Sequence, residues 1–149
     1  YRLNVVDAAC GSRFYNFEKT KDGGTTWTEV NGDPFDQNMG VAEGLLFFTN
    51  DFGFAGLTYA SEDFSMLYVT KDGGETFERL ELPLDTVTEL PSEAEELGFT
   101  IEDYDYHTMP QIVDGKMEIY LQTDAMEQQG IIFQSEDNGV TWEYAGCKE

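Results

Sequence analysis

Short runs of hydrophobic residues, broken by turn-forming residues, recur along the whole chain and predict strands. Residues 3–10 read as a strand, Gly11-Ser12 as a turn, residues 13–20, dense in aromatics, as the next strand, and residues 26–30 as a third. Residues 41–50 carry Leu45, Leu46, Phe47 and Phe48, a continuous apolar run expected of an inner strand covered on both faces. Residues 54–61 and 65–70 follow, and residues 76–82 alternate around Phe77, Leu80 and Leu82. The last group comprises residues 108–113, an Asp114-Gly115 hairpin turn, and residues 116–123, 130–135 and 141–145. These eleven strands fall into groups of three, four and four.

One stretch, around residues 83–107, breaks the pattern. Pro91-Ser92-Glu93-Ala94-Glu95 reads as a helix start, and Ser92 and Glu95 have the spacing of a capping box. A short acidic helix is therefore expected over residues 92–97, ended by Gly98. The insertion is either a rim or lid element or a solvated bulge.

The strand groups are organised around an octet that occurs three times, starting at Thr20, Thr70 and Ser135. Its template is Ser or Thr, any residue, Asp, any residue, Gly, any residue, Ser or Thr, then Trp or Phe. This is the chemistry of a tight turn between strands. The Asp accepts backbone N–H groups further along, and the Gly positions tolerate positive φ. The closing aromatic buries itself against the core. Asp22, Gly24 and Trp27, Asp72, Gly74 and Phe77, and Asp137, Gly139 and Trp142 are thus expected to be structural.

The octet resembles the Asp-box, or BNR, repeat of sialidases and other β-propeller families. The resemblance implies a box between the third and fourth strands of each four-stranded blade, on the face away from any catalytic site, with a non-catalytic Asp. The expected fold is all-β: a partial β-propeller of about three antiparallel blades, with three repeat units near residues 1–32, 40–82 and 105–149 in one domain. Propellers close with about four to eight blades. The chain is therefore expected to be a segment of a larger propeller, or to associate with copies that complete a ring through exposed apolar faces. The first strand missing from the first unit would come from a preceding segment or from the C-terminus.

Charge narrows the partners. Asp and Glu number 30 against 8 Lys and Arg, a formal net charge of −22. Such a surface repels phosphate backbones, so nucleic-acid binding is not expected. No apolar run is long enough to cross a membrane as a helix. The composition fits an extracellular or cell-surface protein. His107 is the only histidine, and no Cys–His spacing fits zinc. No metal and no cofactor is expected.

With the boxes on one face, as the resemblance implies, the candidate ligand-binding groups are expected in the loops of the opposite face: Asp36 and Asn38, Glu62 and Asp63, and the cluster Glu102, Asp103, Tyr104, Asp105, Tyr106 and His107. Carboxylates beside tyrosines suit sugars, although Asp and Asn are also ordinary loop residues. Sialidases bind their anionic substrate with three arginines and use a tyrosine–glutamate pair and an aspartate. This chain has only Arg2, Arg13 and Arg79, and it lacks the Phe/Tyr-Arg-Ile-Pro motif. The expected function is a non-catalytic module of an exported protein that binds a glycan or a protein partner. The alternative is part of a sialidase-like glycoside hydrolase whose other blades are missing or come from another copy. Cys10 and Cys147 either form a disulfide, within the chain or between copies, or are two unrelated thiols.

Overall fold

Three antiparallel sheets make up the fold of this all-β chain, with 47% of the described residues in strands and 9% in helices. The structure is a computed structural model and describes residues 1–59, 64–123 and 129–148. Sheet 1 is β1 (Arg2–Ala9), β2 (Ser12–Lys19) and β3 (Thr28–Asn31), in that order. Sheet 2 is β4 (Val41–Phe47), β5 (Gly53–Thr58), β6 (Ser65–Thr70) and β7 (Glu78–Arg79), again in sequence order. Sheet 3 is built from β8 (Tyr106–His107), β9 (Gln111–Val113), β10 (Lys116–Gln122), β11 (Gly130–Ser135) and β12 (Glu143–Lys148). There β8 and β9 both pair with β10, which pairs with β11, which pairs with β12.

The chain divides into two compact units. Sheets 1 and 2 fall in the first, which spans residues 1–62 and 66–80; sheet 3 and the insertion fall in the second, which spans residues 63–65 and 81–149. In the first unit aromatic rings join the two sheets. Alternation along β2 points Tyr15 and Phe17 to one face. Phe17 is fully buried, stacks on Phe47 at 5.6 Å and meets Phe77 edge-on at 5.3 Å. Phe35, on the link between the sheets, lies edge-on to both Tyr15 (5.9 Å) and Tyr68 (5.2 Å). The Tyr15 hydroxyl accepts the Ala42 N–H at 2.9 Å. In the second unit Ile119, Leu121, Ile131 and Phe133 are fully buried.

The expected strand 108–113 begins earlier and is split into β8 and β9. Pro110 has no N–H to give to a ladder, so pairing breaks around it. Thr108 bridges the gap, giving its N–H to Tyr120 O (2.9 Å) and accepting the Tyr120 N–H on its hydroxyl (3.1 Å). The strands after the boxes also begin later than expected, because the last residues of each octet are held in the turn.

The helix stands where the sequence places it. It is α1 (Ser92–Leu97), ended by Gly98 at φ 82°, with the Gly98 and Phe99 N–H groups returning to Glu95 and Ala94 carbonyls. Its capping is different. Pro91 is the N-cap and no side chain caps the end, so the expected Ser92–Glu95 capping box is not formed. A capping box forms instead eight residues further on, where Asp103 Oδ2 accepts the N–H (2.7 Å) and the hydroxyl (2.9 Å) of Thr100.

Both cysteines are free thiols, so the intrachain bridge is not formed. Cys10 occupies the exposed tip of the β1–β2 hairpin, where Cys10 and Gly11 both have positive φ, and not the end of a strand. Cys147 lies in β12 and gives its thiol hydrogen to Glu89 O at 3.2 Å.

Candidate functional site

The three octets fold into the same hydrogen-bonded turn. In the first, Thr20 Oγ1 donates to Asp22 Oδ1 (2.8 Å) and accepts the Gly24 N–H (2.9 Å), while Asp22 accepts the Thr26 N–H (2.8 Å) and hydroxyl (2.6 Å). Thr70, Asp72, Gly74 and Thr76 repeat the set at 2.9, 2.7, 2.9 and 2.6 Å. Ser135, Asp137, Gly139 and Thr141 repeat it at 2.8, 2.7, 2.8 and 2.6 Å. Left-handed residues at the fourth and fifth positions make the turn possible: Gly23 and Gly24, Gly73 and Gly74, Asn138 and Gly139.

These bonds lower the carboxyl pKa values. The Thr26 hydroxyl and N–H hold Asp22 at about 2, and the Thr141 hydroxyl and N–H hold Asp137 at about 2. At Asp72 burial pushes upward, but the Thr76 and Thr70 hydrogen bonds outweigh it and the shift is down. Each Asp is therefore occupied with its own turn. Of the closing aromatics, Trp142 is buried, while Trp27 and Phe77 are half-buried.

The candidate ligand groups divide between the two units. In the first unit Asp36 is exposed, at φ 49°. Asn38 is committed to the fold, its amide giving hydrogen bonds to Phe35 O (2.9 Å) and to the Tyr68 hydroxyl (3.0 Å). A nearby carboxylate that the sequence left out of the candidate set, Asp33, accepts the Gln37 N–H at 2.9 Å and fixes this loop. Glu62 and Asp63 lie outside the described residues, as do residues 61–63 and 124–128 of the loops expected at this end.

In the second unit the cluster at residues 102–107 is brought together but not as one loop. Glu102 and Asp105 are exposed, and Tyr104 is 1% exposed and belongs to the core. Asp103 is lowered by the Thr100 backbone and side-chain hydrogen bonds of the capping box. Tyr106 and His107 are half-buried strand residues of β8 rather than rim-loop residues, opposite Gln122 and Leu121. Ser65 clusters with this unit. Its hydroxyl donates to His107 O (2.7 Å) and accepts the His107 N–H (2.6 Å), which fixes the backbone under the imidazole. The register puts these groups at the end of sheet 3 away from the third box: His107 opposes Leu121, which opposes Ile131, while Ser135 opposes Met117.

An open cleft of about 390 Å³ lies beside the third box, among Lys116, Gln134, Glu136, Asp137, Thr141 and Glu143. The Lys116–Glu136 ion pair (2.6 Å) crosses it, lowering Glu136 and raising Lys116. The sequence marks only the box side of this cleft, Glu136, Asp137 and Thr141; Lys116, Gln134 and Glu143 come from three separate strands and join it through the β10–β11–β12 register. On β12, burial and then the Cys147 thiol push the Tyr144 hydroxyl up to about 12. Among the described residues no group of three or more His, Cys, Asp or Glu could hold a metal ion, and no helix is long and apolar enough to cross a membrane. Comparison with protein-family models, with curated proteins and with solved structures finds no match for the chain.

Proposed function

We propose that this chain is a non-catalytic Asp-box module of an exported protein, its sheets being blades of the sialidase-like β-propeller type, and that it binds a glycan or a protein partner. The observation that carries this reading is the end of sheet 3 away from the third box. Exposed Glu102 and Asp105 precede half-buried Tyr106 and His107, whose backbone is clamped by Ser65. Carboxylates accept sugar hydroxyls or cationic side chains, and a tyrosine face stacks on a sugar ring. The −22 net charge favours neutral or cationic ligands over sialylated ones.

Five carboxylates are unsuited to the general-acid role that the enzyme alternative needs. Asp22, Asp72, Asp103, Glu136 and Asp137 are all displaced downward, each by its own local hydrogen bonds or ion pair. A glycosidase instead holds one carboxyl up as its general acid, at a fixed separation from a second.

The test is a glycan array run beside a glycoside-hydrolysis assay. Binding of neutral glycans, weakened at least about ten-fold by Tyr106→Ala with Glu102→Gln, is expected; a hot-spot loss of about 1.4 kcal/mol gives that factor. Turnover of any glycoside would overturn the non-catalytic reading.

A further inference from the structure

The first strand of sheet 1 lacks a neighbour that the equivalent strands of the other sheets have. β1 ends its sheet, whereas β5 has β4 beside it and β10 has β8 and β9. Among the described residues no strand pairs with the outer side of β1. Val5 and Val6 are 47% and 54% exposed, while Phe54, Ala55 and Leu57 of β5 and Ile119 and Leu121 of β10 are fully buried.

Register shows which backbone groups this edge presents. Arg13 exchanges backbone hydrogen bonds with Gly40, so its N–H and C=O point away from β1. Alternation along β2 turns Tyr15 and Phe17 the same way. Val5 and Leu3 oppose Tyr15 and Phe17, so they direct their own N–H and C=O groups to the open side. The edge closes at Ala8, whose N–H goes to Asp7 Oδ1 at 2.8 Å.

Sheet 3 shows what answers these groups. Phe17 and Ile132 each stand three residues before a box, and Leu3 opposes Phe17 as Tyr120 opposes Ile132. The N–H and C=O of Tyr120 both bond to Thr108. Gln122, the counterpart of Val5, opposes Tyr106. Leu3 and Val5 have no such strand beside them among the described residues.

We propose that the edge of β1 is a docking site for an extended segment of a protein partner, added antiparallel to β1 as a fourth strand with the pattern apolar–basic–apolar. The direction is that of β4 on β5 and of β8 on β10. Strand addition takes its affinity from the main chain and its specificity from alternate side chains. Residues facing Val5 and Leu3 extend the apolar interface already formed between the two sheets, where Phe17 stacks on Phe47 and Tyr1 stacks on Phe47 at 4.1 Å. The residue facing Asn4 falls on the other face, in the row of Asn4 and Asn16. Asn16 is 5% exposed, and its Oδ1 accepts no hydrogen bond among the described residues, so that row takes a donor. Glu18 and Glu29 share the face and the chain carries a net charge of −22, which makes the donor basic.

The probe is fluorescein-labelled Lys-Val-Lys-Leu-Ser-amide, read by fluorescence polarisation. Its Val faces Val5, its central Lys faces Asn4 and its Leu faces Leu3. A chain of this charge attracts any cationic peptide, so the deciding variants keep the charge. Val5→Pro removes an edge N–H, a change that an edge strand accepts on its open side. N-methylation of the peptide's Val and Leu blocks the same ladder and leaves the protein untouched. Each is expected to weaken binding at least about ten-fold, as is the scrambled Lys-Lys-Val-Leu-Ser-amide. N-methylation of the central Lys, whose N–H faces away from β1, is expected to leave binding unchanged. Amide exchange at Leu3 and Val5 is expected to slow when the peptide is added. Should Val5→Pro misfold by circular dichroism, the methylated peptides decide the matter on the wild-type chain. Binding that ignores which nitrogen is methylated is attraction by charge alone and overturns the proposal, as does no binding at millimolar peptide. Self-association in sedimentation that Val5→Pro abolishes gives the edge to a second copy and overturns it too.

Discussion

The first and second boxes share their hydrogen bonds and differ in what lies against them. Gly73 and Gly74 are buried, and a Cβ on Gly74 would run into the Phe17 ring. Gly24 meets only its own Trp27, at 3.5 Å from an added Cβ, and Gly23 meets nothing. Phe77 lies edge-on to Phe17 from the neighbouring sheet, whereas Trp27 closes on its own turn, its indole N–H donating to Gly24 O at 3.1 Å. One local device thus serves two ends: at the second box it is a packing surface between sheets, and at the first it only closes a hairpin.

Phe17 should show the largest effect, because it fills the junction the second box makes with sheet 1. Phe17→Ala is expected to cost about 3–5 kcal/mol in urea unfolding. A cost below about 1 kcal/mol would mean that the junction does not hold the unit together.

The glycine pair sharpens the contrast. Gly74→Ala combines left-handed strain of about 1–2 kcal/mol with overpacking of about 1–3 kcal/mol. Gly24→Ala carries the strain alone, about 1–2 kcal/mol. Equal denaturation midpoints for the two variants would erase the distinction between the boxes.

Acid should act on what the boxes share. Asp22 ionises at about 2 in the folded chain against an ordinary 3.8, so its hydrogen bonds contribute full stability above that ordinary value and lose it as pH falls through about 2. Asp137 behaves alike, and Asp72 shifts in the same direction. Asp22→Asn is therefore expected to be less stable than wild type at neutral pH, with the gap closing as pH falls toward about 2 in paired urea titrations. A gap independent of pH would assign the loss to shape rather than to charge.

Arg2→Ala should show the smallest effect, since its ring contact and ion pair are at the surface. A loss of about 0.5–1 kcal/mol is expected, with a shift in Trp27 emission as the ring is uncovered. A loss as large as that of Phe17→Ala would make sheet 1's outer face as structurally demanding as its inner one.

By itself the sequence determined whatever is local. The boxes were legible because Asp, Gly and a hydroxyl residue at fixed spacing close a turn with no help from elsewhere, and all three do so with matching bonds. Helix α1 and its stop at Gly98 were legible for the same reason. The candidate site was legible only as a list of residue types. Tertiary packing alone decided that Tyr104 enters the core, that Asn38 holds Tyr68, and that Tyr106 and His107 join a strand opposite Gln122 and Leu121. It also decided which sheet faces carry rings and which carry charges. A side chain's partner across a sheet depends on register and on the neighbouring sheet, and neither is written in the spacing of residues along one strand.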